Sequence, residues 1–160
     1  MIEVRLQPMT EDEYVSWRAE AEAHYARSVE ATGRSSRDAA RQAAETYARL
    51  LPGERDTPGN HFWYAYDGDL RVGFLWIVVT EATGSALVHN VAVDEDKRRQ
   101  GYGRAIMLAA ERWCAESGLT RLGLHVFAHN TGARALYEQL GFAETGRNMA
   151  KDLTPGRGDR

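Results

Sequence analysis

Apolar residues recur along this chain with two periods, and the changes from one to the other mark out its elements. Ile2, Val4 and Leu6 alternate with charged residues, which predicts a first strand ending at Pro8. Thr10-Glu11-Asp12-Glu13 has the spacing of a capping box, with a helix following to about Thr32 and closed by Gly33. Ser35 or Ser36 caps a second helix through Leu50, with Ala40, Ala43, Ala44, Tyr47 and Leu51 along its apolar stripe and Pro52-Gly53 as its stop. The period then falls to two. Residues 61–67 and 70–80 read as a hairpin joined by Asp67-Gly68-Asp69, and a turn near Gly84 leads to a strand over 86–93. The helical period returns at 104–117, where Ile106, Met107, Ala110, Trp113 and Cys114 form one face and Gly118 ends the run. A strand over 121–127, a short helix over 130–139 and a last strand over 142–149 complete the pattern, before a loose polar tail over 151–160. This order mixes hairpins with crossovers, so the fold class is α/β (α+β), one domain over residues 1–150 built on a mixed sheet flanked by helices.

Composition narrows the function classes. The chain of 160 residues has 20 Lys+Arg against 23 Asp+Glu, a formal net charge of -3, which argues against a whole-surface nucleic-acid binder. Its longest apolar run, Phe74 to Val79, is far short of the ~20 residues a bilayer-crossing helix needs, so no membrane partner is expected. A single cysteine, Cys114, excludes an intrachain disulfide; with no signal-peptide pattern at the start, the expected location is cytoplasmic. No His, Cys, Asp and Glu residues have metal-ligand spacing, and no metal is expected.

The chemically informative stretch runs from Val91-Ala92-Val93 to Arg98-Arg99-Gln100-Gly101-Tyr102-Gly103-Arg104. A strand enters a basic, glycine-containing turn that opens a helix. Such a turn turns several backbone N–H groups outward, and the helix dipole adds positive potential there. Residues of this kind predict a phosphate or pyrophosphate site, with a solvated basic helix cap as the lesser alternative. The dinucleotide fingerprint would need a third glycine where Ile106 stands, and a Walker loop would need Gly-Lys-Ser/Thr.

At these residues the chain resembles the GCN5-related N-acetyltransferase (GNAT) family. Arg98-Arg99-Gln100-Gly101-Tyr102-Gly103 is similar to its Arg/Gln-x-x-Gly-x-Gly/Ala signature, and Leu136-Tyr137-Glu138-Gln139-Leu140-Gly141-Phe142 to its Leu-Tyr-x-x-x-Gly-Phe marker. The resemblance implies a splayed, mixed central sheet, acetyl-coenzyme A (acetyl-CoA) as acetyl donor, and a primary amine as acceptor that attacks the thioester directly. It implies that the strand carrying Val91, Ala92 and Val93 binds the pantetheine arm, and that Arg98, Arg99, Gln100, Gly101, Tyr102, Gly103 and Arg104 cradle the pyrophosphate. It assigns Asn130, Ala133 and Tyr137 to the cofactor side as well, with Tyr137 as the acid that protonates the departing thiolate. A homodimer is left open.

An alkyl ammonium must lose a proton before it can attack, so a base is required. Family members commonly carry a glutamate on the strand before the turn, and residues 86–93 contain no acid. His89 on that strand and His125 on the next are the candidates, beside a water chain. Each imidazole can also be a plain packing residue, Asn130 a helix cap, and Tyr137 a core aromatic. Trp63, Tyr64, Tyr66 and Trp76 can line an acceptor pocket or fill the core, and the acidic start of the first helix can attract cationic amines or simply be solvated. The missing glutamate also fits a rival reading, a non-catalytic acyl-CoA sensor or assembly module with the same fold.

Overall fold

The computed structural model describes residues 1–153, and the expected tail lies outside them except for its first three residues. The chain divides into two compact units, Met1–His125 and the part that begins at Val126.

The first unit holds β1 (Arg5–Pro8), α1 (Glu11–Glu30), α2 (Ser36–Leu50), β2 (Asn60–Asp67), β3 (Leu70–Thr80), β4 (Ser85–Val93), α3 (Tyr102–Glu116) and β5 (Arg121–Leu124). The strands form one open sheet in chain order, antiparallel throughout except for the parallel pair β4–β5. That single parallel pair follows from α3, since a parallel neighbour needs a crossover helix.

Local chemistry sets the boundaries. The Thr10 hydroxyl accepts from the Glu13 N–H at 3.2 Å while the Glu13 carboxylate accepts from the Thr10 N–H at 2.9 Å, so the expected capping box is formed. Ser35, rather than Ser36, caps α2 by accepting from the Asp38 N–H. The buried stripe of α2 is Ala39, Ala43 and Tyr47, continued by its C-cap Leu51, whereas Ala40 and Ala44 face solvent; Tyr47 and Leu51, anchored in the aromatic core, fix the rotation of the helix.

Strand alternation divides the core between the two faces of the sheet. Phe62, Tyr64 and Trp76 meet Tyr14 and Trp17 of α1, Tyr47 of α2 and Leu51 at its C-cap. Ile106, Met107, Ala110 and Cys114 of α3 are buried as the helical stripe requires. Trp113 is only half-buried, at the rim, where its ring meets Trp63 at 4.7 Å between centroids. The hairpin aromatics Trp63, Tyr64 and Trp76 are thus core residues rather than an open acceptor lining.

Three strand expectations fail: β1 begins only at Arg5, so Ile2 and Val4 lie before it. β5 ends at Leu124, not Phe127, because its partner β4 bulges one residue beyond the last pair, Val88↔Leu124. In the second unit α4 (Thr131–Gln139) forms as expected, but residues 142–149 make no strand. Their alternating pattern has no buried face: residues 143–150 are all exposed. Arg147 instead reaches back to Glu144 through two hydrogen bonds of 2.9 and 3.1 Å, an i,i+3 pairing foreign to an extended strand.

Candidate functional site

The site begins with a break in the sheet. β4 pairs with β5 from Ser85↔Arg121 to Val88↔Leu124 and then parts from it. On its other side β4 stays paired with β3, but Val88 lies opposite Ile77 and Asn90 opposite Trp76, which leaves His89 as an extra, bulged residue. From His89 to Val93 the edge of β4 toward β5 is unpaired among the described residues. The Asp94 N–H donates to Val72 O at 2.8 Å, so alternation turns Asn90 and Ala92 toward β3 and Val91 and Val93 toward the open edge. Val93 O is taken there by Arg98 Nε at 3.2 Å, and Val91 retains its open backbone groups. An extended ligand laid along this edge would meet the backbone of Val91 as a neighbouring strand would.

The turn after β4 continues that edge. Asp94 leads through a single 3-10 turn, Glu95–Lys97, to Arg98 in extended conformation. Arg99 then has φ 61° and Gly101 φ 91°, both left-handed, and α3 starts at Tyr102, two residues before the periodicity predicts. A bulky residue held at positive φ is strained and persists only where its surroundings dictate it. The consequence is a concave row of donors. The first N–H to find a backbone acceptor is that of Ala105, on Gly101 O; those of residues 99–104 donate to nothing among the described residues. Arg98, Arg99 and Arg104 are exposed around it, and Gln100 braces the turn through Asp96 O at 3.4 Å. Six open N–H groups, a helix N-terminus and three guanidinium groups fit a pyrophosphate. Tyr102 contributes only its backbone, because its buried ring sends its hydroxyl to Asp67 Oδ2 at 2.8 Å.

Near the bulge, the His89 ring lies on Trp76, with 4.0 Å between centroids, while the residue keeps an exposed side. The protein packed round the rest of it pushes its pKa below the ordinary imidazole value through burial, so it is neutral at pH 7 and free to accept a proton. Continuing the β4–β5 register one step past Val88↔Leu124 brings His89 to His125, so the two candidate bases follow the last paired residues on adjacent strands.

The acids at the start of α1 are largely engaged. Glu13 completes the capping box, Glu11 pairs with Arg55 at 3.1 Å, and farther along Glu22 lies 3.8 Å from Arg18.

In the second unit, Asn130 caps α4: its Oδ1 accepts from the Ala133 N–H at 3.3 Å, which commits that donor of Ala133. The Leu-Tyr-x-x-x-Gly-Phe stretch is the end of this helix. Gly141 takes φ 93°, Phe142 N–H donates to Tyr137 O at 2.9 Å and Gly141 N–H to Glu138 O at 3.0 Å, a Schellman closure. The Phe142 ring meets Tyr137 edge-on at 5.8 Å, and the half-buried phenol is held above its ordinary pKa by burial.

Two features of the first unit escape a periodicity reading. The bulge at His89 leaves no mark in the alternation of 86–93. Gly73 does leave one, as a glycine inside an apolar strand: a Cβ there would run into the carbonyl oxygen of Ala92, so only glycine lets β3 and α3 close on the candidate cofactor strand.

Comparison with known proteins agrees with this geometry. The pattern of the acetyltransferase (GNAT) family matches residues 13–142. The uncharacterized N-acetyltransferase YycN of Bacillus subtilis is 34% identical over 155 residues, covering 94% of this chain and 99% of YycN. Its crystal structure superposes with a TM-score of 0.84 over the same shares. The ribosomal protein bS18-alanine N-acetyltransferase of Escherichia coli is 43% identical over 84 residues, 52% of this chain and 54% of that one. An aminoglycoside N-acetyltransferase in complex with CoA shares the fold alone, at 16% identity and a TM-score of 0.59 over 95% of each chain. The chain belongs to the acetyltransferase (GNAT) family and is an acetyl-CoA-dependent N-acetyltransferase.

Proposed function

We propose that this enzyme acetylates a primary amine by direct attack on the thioester of acetyl-CoA, with His89 or His125 as proton acceptor and Tyr137 as proton donor. The observation that carries the reading is a pair of open backbone stretches, the edge of β4 at Val91 and, after the intervening turn, the unpaired N–H groups of residues 99–104. The edge at Val91, Ala92 and Val93 holds the pantetheine arm. The turn of Arg98, Arg99, Gln100, Gly101, Tyr102, Gly103 and Arg104 holds the pyrophosphate, and Asn130 and Ala133 belong to the cofactor side.

When bound, acetyl-CoA supplies an acyl group activated as a thioester. The protein's part is proton management and polarisation. A neutral imidazole removes the proton that blocks the amine's lone pair. The open N–H of Val91 polarises the thioester carbonyl. The Tyr137 phenol, kept protonated by burial, gives its proton to the leaving sulfur. The buried lone thiol Cys114 supports a reducing, cytoplasmic setting, and no helix among the described residues is long and apolar enough to cross a membrane.

The test is calorimetric titration with acetyl-CoA, with NAD and ATP as controls, followed by CoA release over a panel of amines. Saturable binding of acetyl-CoA alone and release with at least one amine is the expected outcome. Failure to bind would reduce the turn to a basic helix cap, and tight binding without release on a broad panel would favour the acyl-CoA sensor. Comparing the pH–rate profiles of His89→Ala and His125→Ala assigns the base as the residue whose loss removes the acidic limb.

A further inference from the structure

We infer that Trp76, locked in place by Asn60, is a positioning residue for the transfer reaction, presenting the bulged His89 to the amine; the inference rests on the reading of His89 as the proton acceptor. A bulged residue has no cross-strand partner to set its direction. His89 gains one from the side-chain layer instead. Trp76, opposite Asn90, lies under the His89 ring at 4.0 Å and is itself only 1% exposed.

The indole has no freedom to follow the imidazole. Trp17 stands edge-on to it at 5.5 Å, Phe62 lies at 5.4 Å and Tyr47 at 6.2 Å, so its plane is fixed from α1, α2 and β2. Its N–H donates to Asn60 Oδ1 at 2.8 Å, and the Asn60 amide in turn donates to Pro58 O at 3.1 Å, which sets the amide's orientation. The chain Pro58–Asn60–Trp76–His89 thus runs from a loop through the core to the bulge.

The same platform removes water from one face of the imidazole, which favours the neutral form. The groups that bear on this titration are few. From α2, Tyr47 touches Trp76 and is kept neutral by burial; around it stand Glu22, Tyr25 and Arg18 of α1. On β5 the next register position is His125. Burial is what lowers the His89 pKa.

The experiment follows the imidazole itself. The ring signals of His89 are titrated by NMR in the full-length protein and in Asn60→Ala and Trp76→Phe, beside the pH dependence of kcat/KM for the amine. Asn60→Ala, at the start of β2, leaves the aromatic core in place and serves where Trp76→Phe folds poorly. The expected result is that the His89 titration moves up toward 6.5 in the variants. The acidic limb moves with it, and kcat falls about ten- to a hundredfold while the KM for acetyl-CoA stays put. Two results overturn the inference. If His89→Ala removes the limb yet neither variant moves it or the titration, the positioning role falls alone. If the limb survives His89→Ala, the base is elsewhere and the positioning role falls with that assignment.

Discussion

The hydroxyl of Tyr102 donates to Asp67 Oδ2 at 2.8 Å across 35 residues of sequence. This bond ties the first residue of α3 to the turn between β2 and β3, and so fixes where the row of open N–H groups points. The Asp67 carboxylate beside it holds the phenol above its ordinary pKa, so the donor stays protonated well past neutral pH. Tyr102→Phe keeps the buried ring and removes only the tether. The expected outcome is a severalfold weaker Kd for acetyl-CoA with an unchanged circular-dichroism spectrum; an unchanged Kd would show that α3 is aimed by packing alone.

Arg99 and Gly101 share positive φ, 61° and 91°, and substitution at each should weaken cofactor binding for a different reason. A Cβ at Gly101 meets only the tip of Ile2 at 3.5 Å, so space is not the obstacle. Strain is: Gly101→Val forces a β-branched residue into the left-handed region at a cost of about 1–2 kcal/mol and withdraws the turn from its anion. Titration should find at least a tenfold loss of acetyl-CoA affinity. Arg99→Gly relieves a similar strain but loosens the unfolded chain by about 0.4–1 kcal/mol, so the thermal midpoint should hardly move. Its affinity should still fall, because a guanidinium beside the phosphates is gone.

The first half of the fold is plainly written in the sequence, since capping at Thr10 and Ser35 and alternation over β2 and β3 are local signals that burial reinforces. The turn at residues 98–104 is legible for the same reason, because the glycines and the charges that make an anion site are adjacent in the chain. What the sequence conceals depends on partners. The bulge at His89 is a mismatch between β4 and β3, and the stop at Leu124 follows from that mismatch one strand away. Residues 142–149 alternate convincingly yet have no buried face, and alternation without burial does not make a strand. Ala40 fits the apolar spacing of α2, but Tyr47 and Leu51, held in the aromatic core, set the helix phase and turn it to solvent.

His61 and His89 both sit below the ordinary imidazole pKa because burial disfavours the cation. The unfolded chain therefore binds more protons than the native one between the lowered values and 6.5, and stability rises with pH across that window. Acidification below 6.5 should lower the thermal midpoint. His61→Gln, which removes an imidazole stacked on Trp63 and lying 4.8 Å from the Trp113 ring, should flatten that dependence without touching the pH–rate profile. A slope unchanged in both His61→Gln and His89→Gln would place the acid sensitivity elsewhere.

Tyr137→Phe separates chemistry from binding. The ring remains against Phe142, and the Schellman closure uses the backbone of residue 137, so α4 should keep its end. Turnover should fall by about 10²–10⁴, the usual worth of a positioned proton donor, with acetyl-CoA affinity nearly intact. Because burial raises the phenol, the alkaline limb of the native profile belongs above the ordinary value of 10, and it should vanish in the variant. Unchanged turnover would take the acid role from this residue.

Gly73 offers the strongest test of how the sheet shapes the candidate cofactor edge. It is buried on β3 opposite Val93, and a methyl added there would strike the Ala92 carbonyl and approach Ile106 Cδ1 to 3.1 Å. The isoleucine tip can shift, but the carbonyl belongs to the backbone and is held in the β3–β4 ladder. Gly73→Ala must therefore push β4 outward or break its pairing. Overpacking of this kind costs typically 1–3 kcal/mol, sometimes more, and here the displaced strand is the one that presents Val91. The variant should lose both thermal stability and acetyl-CoA binding. Gly132→Ala, in open space near the start of α4, should lose no stability to steric conflict. Equal midpoints for the two variants would mean that β3 and β4 yield at Ala92, and that the close approach is tolerated rather than required.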